Sequence, residues 1–352
     1  MSGLTAYSTI TTKIRARMSR MLTKEQFYEL AECKGVPELV EYLSATDAYK
    51  DILSALTKEQ LHRGNIEKIL KRSYYSDFDT IYHFADLKQK RYLALYFKKF
   101  ELVFLKSCIR NICRTNSEDR SDKEVVSIFK KYSKMNIEEV QKQTSIEGLI
   151  EVLSGTEYYE IFKHVADSSK NLLSDYEYAL DYAYFKSLWR GINKYFDGLD
   201  RKILLNAIGT KIDILNMQWI YRSKKYYSLT EAEIYAMILP YRRHLHKEEI
   251  QSMVEAKNIE DFNLELKKTM YGKKEADLSG EKLESVYTFL LDSDRKRAGY
   301  QFPYSIAIIE YFLYQKEREV AKIIMIMECV RYGVSKNETV RIAKIDERSV
   351  AV

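Results

Sequence analysis

The chain has 352 residues, 46% apolar and 31% charged, with only 12 glycines and 3 prolines. That composition excludes collagenous, low-complexity and disordered classes and leaves few residues for β-hairpin turns. The formal net charge of +6 is spread through interleaved Lys, Arg, Asp and Glu, so the concentrated basic face of a duplex-binding domain is not indicated.

From the N-terminus, Met1 to Leu22 carries Lys13, Arg15, Arg17 and Arg20 and has no continuous apolar stretch of the signal-peptide kind. It reads as a leading helix. Thr23 has the chemistry of an N-cap, its hydroxyl able to accept a bond from a first-turn amide, and Glu25 sits where the helix dipole favours an anion. Val36, Leu39, Leu43 and Thr46 follow at steps of 3, 4 and 3, one face of a helix. Longer aromatic, amphipathic helices are predicted over Ile66 to Phe84 and Tyr92 to Ile112, and the polar run Arg114 to Glu124 reads as a boundary.

The pattern then returns. Leu39 to Tyr49 and Leu149 to Tyr159 share six of eleven residues at an offset of 110. Ile146, Leu149, Leu153 and Thr156 repeat the first set, and helices over Tyr178 to Tyr195 and Lys202 to Tyr221 follow it. Ser223 to Glu231 reads as the second boundary. A third set, Ile259, Phe262, Leu266 and Thr269, lies 113 residues further on. Leu245 to Ile250 precedes it as Leu22 to Phe27 precedes the first, which makes His246 an N-cap. Helices over Leu283 to Leu291 and Pro303 to Tyr332 close the chain, the second opened by Pro303, where a missing amide proton costs nothing.

No alternating β-branched run is long enough to anchor a sheet. The expected fold is all-α, in three similar helical modules over residues 1–118, 119–228 and 229–352. Copies of about 110 residues exceed the roughly 20–45 residues of solenoid units and suit a closed or nearly closed ring with an axis. The longest runs without charge are twelve residues each, against the roughly 20 that a membrane-crossing helix needs.

No P-loop, Gly-x-Gly-x-x-Gly, Gly-x-Ser-x-Gly or Cys-x-x-Cys occurs, and the five histidines form no His-Glu-x-x-His. His62, His83, His164, His244 and His246 therefore give no metal or catalytic cluster. Cys33 and Cys329 stand alone, the four cysteines fit a reducing setting, and Cys108 and Cys113 read as core thiols. Asp77-Phe78-Asp79 and Asp292-Ser293-Asp294 read as surface acids. Tyr74-Tyr75, Tyr158-Tyr159 and Tyr226-Tyr227 are able to present one ring inward and one outward, and the core use of these rings is favoured.

Tyr7, Lys13-Ile14-Arg15-Ala16-Arg17 and Met21-Leu22, followed by Leu39-x-x-x-Leu43-x-x-Thr46-x-x-Tyr49, resemble the opening of the C subunit of archaeal and bacterial V-type ATPases, the relative of the d subunit of eukaryotic V-ATPases. Asp213-Ile214-Leu215-Asn216 with Tyr221-Arg222, then Tyr300-x-Phe302-Pro303, Tyr311, Glu317-Arg318-Glu319-Val320 and Gly333, are similar to later segments of that family. The likeness departs after Ala321, where Lys322, Ile323 and Ile324 stand in place of the Asn and Arg of many members.

The resemblance implies a funnel of three helical domains related by pseudo-threefold symmetry. It implies a non-catalytic rotor subunit, at the cytoplasmic face of a membrane and held there only through partners. Its partners would be central-stalk subunits and the membrane rotor-ring subunits, with ATP hydrolysis or synthesis linked to H⁺ or Na⁺ transport. No cofactor, metal or nucleic acid is implied. Candidate interface residues are Arg15, Arg17, Arg110 and Arg222, with Asp213 and Asn216 as polar contacts or module-fixing groups. The repeat register also pairs Glu101, Asp213 and Glu319 as structural acids that anchor helices within each module. A free-standing all-α scaffold, or a helical enzyme or nucleic-acid binder, are the alternative readings.

Overall fold

The structure is a computed structural model that describes residues 3–53, 63–114, 123–168, 172–274 and 278–346. Every regular element among them is a helix, and by contacts the chain forms two compact units, residues 1–180 with 308–352 and residues 181–307. The boundary expected over Arg114 to Glu124 falls mostly, and His62 wholly, outside the described residues.

In the first unit, α1 (Gly3–Met18) buries Tyr7, Ile10, Thr11 and Ile14, an amphipathic stripe at steps of three and four. Helix α2 (Lys24–Glu32) starts at Thr23, as expected. The Thr23 hydroxyl accepts from the Gln26 amide at 3.3 Å, and the Gln26 side chain accepts from the Thr23 amide at 2.9 Å. Two first-turn donors are thereby satisfied reciprocally. Thr23→Ala should lower stability by about 1 kcal/mol, read as an earlier urea midpoint at unchanged slope; an unchanged midpoint would show that water serves those amides equally well.

Helices α3 (Val36–Ser44) and α4 (Lys50–Leu53) complete the first small bundle. The long α5 (Arg63–Phe84) and α6 (Leu87–Arg114) follow, then α7 (Lys123–Tyr132), α8 (Ile137–Lys142), α9 (Ile146–Val152), α10 (Tyr159–Ala166) and α11 (Leu173–Tyr195). The tyrosine and phenylalanine load of α5 to α7 makes a ring-on-ring core. Phe78 meets Phe100 edge-on at 5.3 Å and Tyr132 at 5.5 Å, and Phe97 meets Phe129 at 5.1 Å.

In the second unit, α11 continues and is followed by α12 (Gly198–Arg222), a π-helical turn (Ser223–Tyr227), α13 (Glu231–Met237), α14 (Lys247–Glu255), α15 (Ile259–Lys268), α16 (Met270–Lys274), a 3₁₀ turn (Gly280–Lys282) and α17 (Leu283–Gln301). Met217 and Ile220 of α12 pack with Phe262, Leu266, Tyr271 and Leu278 in its core. His246 is the N-cap of α14. Gly280 is required by close approach, since a Cβ there would stand 2.0 Å from the Tyr221 ring.

Helix α18 (Ile306–Arg331) starts three residues after Pro303. Its first amides are taken elsewhere: Ile306 N–H donates to Asp200 Oδ1 at 3.0 Å, and Ala307 N–H to the Ser305 hydroxyl at 3.2 Å. From Ile308 onward it belongs to the first unit. Gly333, at φ 68°, ends it in a Schellman turn with Val334 N–H donating to Cys329 O at 2.9 Å. Helix α19 (Lys336–Ile342) then packs on α2, where Lys336 pairs with Glu32 and Lys24 pairs with Asp346 at 2.9 Å. No described helix is long and apolar enough to cross a membrane.

Candidate functional site

Glu101, Asp213 and Glu319, the acids that the sequence reading pairs, are all buried, at 7%, 0% and 3% exposure. Each accepts a tyrosine hydroxyl. Tyr49 donates to Glu319 Oε1, Tyr158 to Glu101 Oε2 and Tyr271 to Asp213 Oδ2, each at 2.7 Å. Each also holds the entry of a small helical bundle. Glu319 takes the Leu22 amide at 2.8 Å, Glu101 takes the Ser133 hydroxyl, and Asp213 takes the Arg243, His244 and Leu245 amides at 3.0, 2.7 and 3.1 Å. Beside every tyrosine the repeated threonine turns its hydroxyl onto the carbonyl three residues back, Thr46 on Leu43, Thr156 on Leu153 and Thr269 on Leu266, at 2.7, 2.7 and 2.6 Å.

Two features differ from the sequence reading. The acids do not anchor helices within their own copy of the repeat: Glu101 of the first copy grips the second, Asp213 of the second grips the third, and Glu319 of the third grips the first. In the second copy the ring that reaches the acid is Tyr158, not Tyr159, which the repeat aligns with Tyr49; one residue separates it from Thr156, as one separates Tyr271 from Thr269. The segment before each bundle lies against the long helix of the preceding copy, a relation that spacing alone does not encode.

Burial is the first cause of the raised Glu101 carboxyl, and the Ser133 and Tyr158 bonds oppose it. Asp213 is raised likewise by burial, against the bonds it accepts from His244, Tyr271, Arg243 and Leu245.

The clamp on the first copy is ionic. Lys316, 4% exposed, lies 2.8 Å from Glu319 Oε1, 3.2 Å from the Tyr49 hydroxyl and 3.7 Å from Asp77 Oδ2, with its ammonium 4.5 Å from the Tyr49 ring centre. Arg17 reaches the same Asp77 at 2.6 Å and the Thr80 hydroxyl at 3.2 Å. Asp77 is therefore a buried partner of two cations, not the surface acid that the sequence suggested, because its face of α5 turns toward α1 and α18. Burial raises its carboxyl, and Lys316 and Arg17 partly offset that.

The six candidate interface residues are not brought to one place. Arg15 is exposed on α1, and Arg17 is half-buried with its guanidinium committed to Asp77. Arg110 is exposed and pairs with Glu177 at 2.6 Å. Asp213 and Asn216, both 0% exposed, spend their polar atoms internally; Asn216 donates to Leu239 O at 3.0 Å and accepts from Leu239 N–H at 2.9 Å. That bonding fits the module-fixing alternative. Arg222 is exposed at the rim of a cavity of about 300 Å³ shared with Lys225, Tyr226 and Glu281. Tyr226 and Tyr227 are both 64% exposed, so this pair turns neither ring inward. Cys108 is half-buried and Cys113 exposed, which corrects their reading as core thiols.

Of this ionic cluster, the sequence reading does not single out Lys316 and takes Asp77 only as a surface acid. The usable signal was a lysine three residues before Glu319 on a helix otherwise apolar on that side, which puts the two heads together at i, i+3.

A family profile described as ATP synthase (C/AC39) subunit matches residues 10–341. Among curated proteins the chain is similar to the C subunit of the A-type ATP synthase of Pyrococcus abyssi, 27% identical over 339 residues, covering 94% of this chain and 88% of that one. It is also similar to proteins of the same name from Methanococcoides burtonii, 25% identical with 91% and 89% covered, and Methanocaldococcus jannaschii, 25% identical with 90% and 81% covered.

Proposed function

Since the chain belongs to the ATP synthase (C/AC39) subunit family, we propose that it is a non-catalytic rotor subunit. In this reading it joins the central stalk of a rotary ATP synthase to the membrane-embedded rotor ring. The match over residues 10–341 is the observation that carries this reading. The chain would sit peripherally at the cytoplasmic face, held there by its partner subunits, and couple ATP turnover to H⁺ or Na⁺ movement without bond-making of its own.

The three clamps support a mechanical role. Torque passes without slip only through elements that do not shift against their neighbours, which favours long helices locked by satisfied buried bonds over one special side chain. The cyclic order of the acids, each holding the next copy and the last holding the first, is what three modules over residues 1–118, 119–228 and 229–352 would need around a pseudo-threefold axis. Such a funnel has a mouth for a shaft.

The test is assembly. Tagged chain expressed with the other subunits of its ATP synthase should capture both stalk and ring subunits from detergent-solubilised membranes, at moderate salt. Recovery of the chain alone, in the soluble fraction, would favour a free-standing scaffold instead. Within that experiment Arg222→Glu should weaken capture of stalk subunits about three- to tenfold, as reversal of an exposed interfacial charge does, with circular dichroism and melting unchanged. Loss of fold would assign Arg222 to structure.

A further inference from the structure

Helix α1 carries Lys13, Arg17 and Arg20 at i, i+4 and i+7, along one side of the helix and the turn that follows it. Opposite them on α5 stand Thr80 and Phe84, and together with Ala16 these residues line a cavity of about 240 Å³. A second cavity, of about 270 Å³, shares Arg17 and Arg20 with the first and continues to Asp47 and Asp51, with Asp77 and Lys316 also in its lining. Because they share Arg17 and Arg20 we take the two as one groove, with Lys13 toward one end and, toward the other, Asp51 and Asp47, the latter paired with Lys50 at 3.2 Å.

Its cationic end is built rather than incidental. Asp77 and Thr80 fix the Arg17 guanidinium. The Lys13 ammonium rests 4.6 Å from the centre of the Phe84 ring, a side chain 39% exposed in a helix whose other rings are mostly covered. Arg20 is exposed and has no ion pair among the described residues. An apolar wall between cations suits a side chain entering with an acidic neighbour.

We propose that this groove receives a polypeptide segment of a neighbouring subunit, one that sets carboxylates against Lys13 and Arg20 and a basic side chain against Asp47 and Asp51. The proposal rests on the rotor-subunit reading above. Charge selects the occupant: a lipid surface presents one sign of charge, which the aspartate end repels, whereas a peptide can carry both signs in register. Helix α1 also lacks the apolar face that a membrane-surface helix would insert, because Tyr7, Ile10 and Ile14 are already buried in the protein.

The experiment compares the parent with K13E/R20E and with Asp51→Lys, each co-expressed with the remaining subunits of the ATP synthase and captured at rising salt. Both variants should assemble at least about tenfold less well, with a flatter salt dependence than the parent, and should melt as the parent does. Variants that assemble like the parent would overturn the groove while leaving the rotor reading intact. Failure of the parent itself to assemble would remove the rotor reading and the groove with it. If K13E/R20E melts early, Lys13→Gln with Arg20→Gln decides: it should still lose assembly, and parent-like assembly would overturn the proposal. Flotation with vesicles of anionic phosphatidylglycerol covers the other source of negative charge. The chain alone should not float, and flotation that K13E/R20E abolishes would assign the groove to lipid headgroups and overturn the peptide occupant.

Discussion

Lys316→Met should lower the unfolding free energy at pH 7 by about 3–5 kcal/mol, the usual cost of removing one member of a buried ionic cluster. The methionine fills much of the same space, so the loss is electrostatic rather than a cavity. Glu319, at 3% exposure, would keep its bonds from Leu22 and Tyr49 but lose its cation, and Asp77 would retain only Arg17. The deficit should depend on pH with a definite sign. Asp77 is already raised by burial and held down by Lys316, so its contribution is present below its unfolded value and is lost as pH rises through its folded one. Taking Lys316 away raises it further, so the gap between parent and variant should widen as pH rises above the unfolded Asp77 value. A double-mutant cycle with Glu319→Gln isolates the pair: the double variant should be more stable than the sum of the single losses predicts. A deficit below about 1 kcal/mol, or strict additivity, would mean that water in the neighbouring cavity of about 270 Å³ already serves these groups.

Some of this was open to a reader of the sequence and some was not, and the division follows the range of the interaction. The N-cap at Thr23 and the cap position of His246 depend on residues within one turn, so local spacing finds them. The long helices were found by period but cut short: α6 runs Leu87–Arg114 where Tyr92 to Ile112 was expected, because polar first and last turns carry no apolar signal. Pro303 misled in the other direction. It lies in the turn before α18, whose start is set by Asp200, more than a hundred residues earlier. Glu101, Asp213 and Glu319 were legible as equivalent acids through the repeat, yet their partners were not, since each grips a segment from the next copy and only folding brings those together. Asp77 was misjudged for the same reason. A carboxylate in a charged tripeptide reads as solvated until a lysine and an arginine from two other helices arrive beside it.

Glu310→Gln should flatten the pH dependence of stability between about pH 4.5 and 8 and make the variant the more stable protein at pH 9. Glu310 is buried on α18, 6% exposed, and accepts the Tyr92 hydroxyl of α6. Burial first, and the charge of Glu317 second, push its carboxyl up to about 8. The folded-state value lies above the unfolded one, so the stability this group contributes is complete below about pH 4.5, declines as pH rises and is gone above about 8. A displacement of that size corresponds to a loss on the order of 5 kcal/mol across the window. Glutamine has nearly the same shape and keeps a carbonyl for Tyr92, but has no proton to lose, so its profile should lack this decline. The difference between the two profiles is the informative quantity, since every other titrating group is common to both. Parallel curves from urea titrations at pH 5, 7 and 9 would show that the carboxylate finds compensation when it ionises. A divergence that opens toward high pH would place a neutral carboxyl in the α6–α18 contact at neutral pH. There it satisfies Tyr92 without burying a net charge.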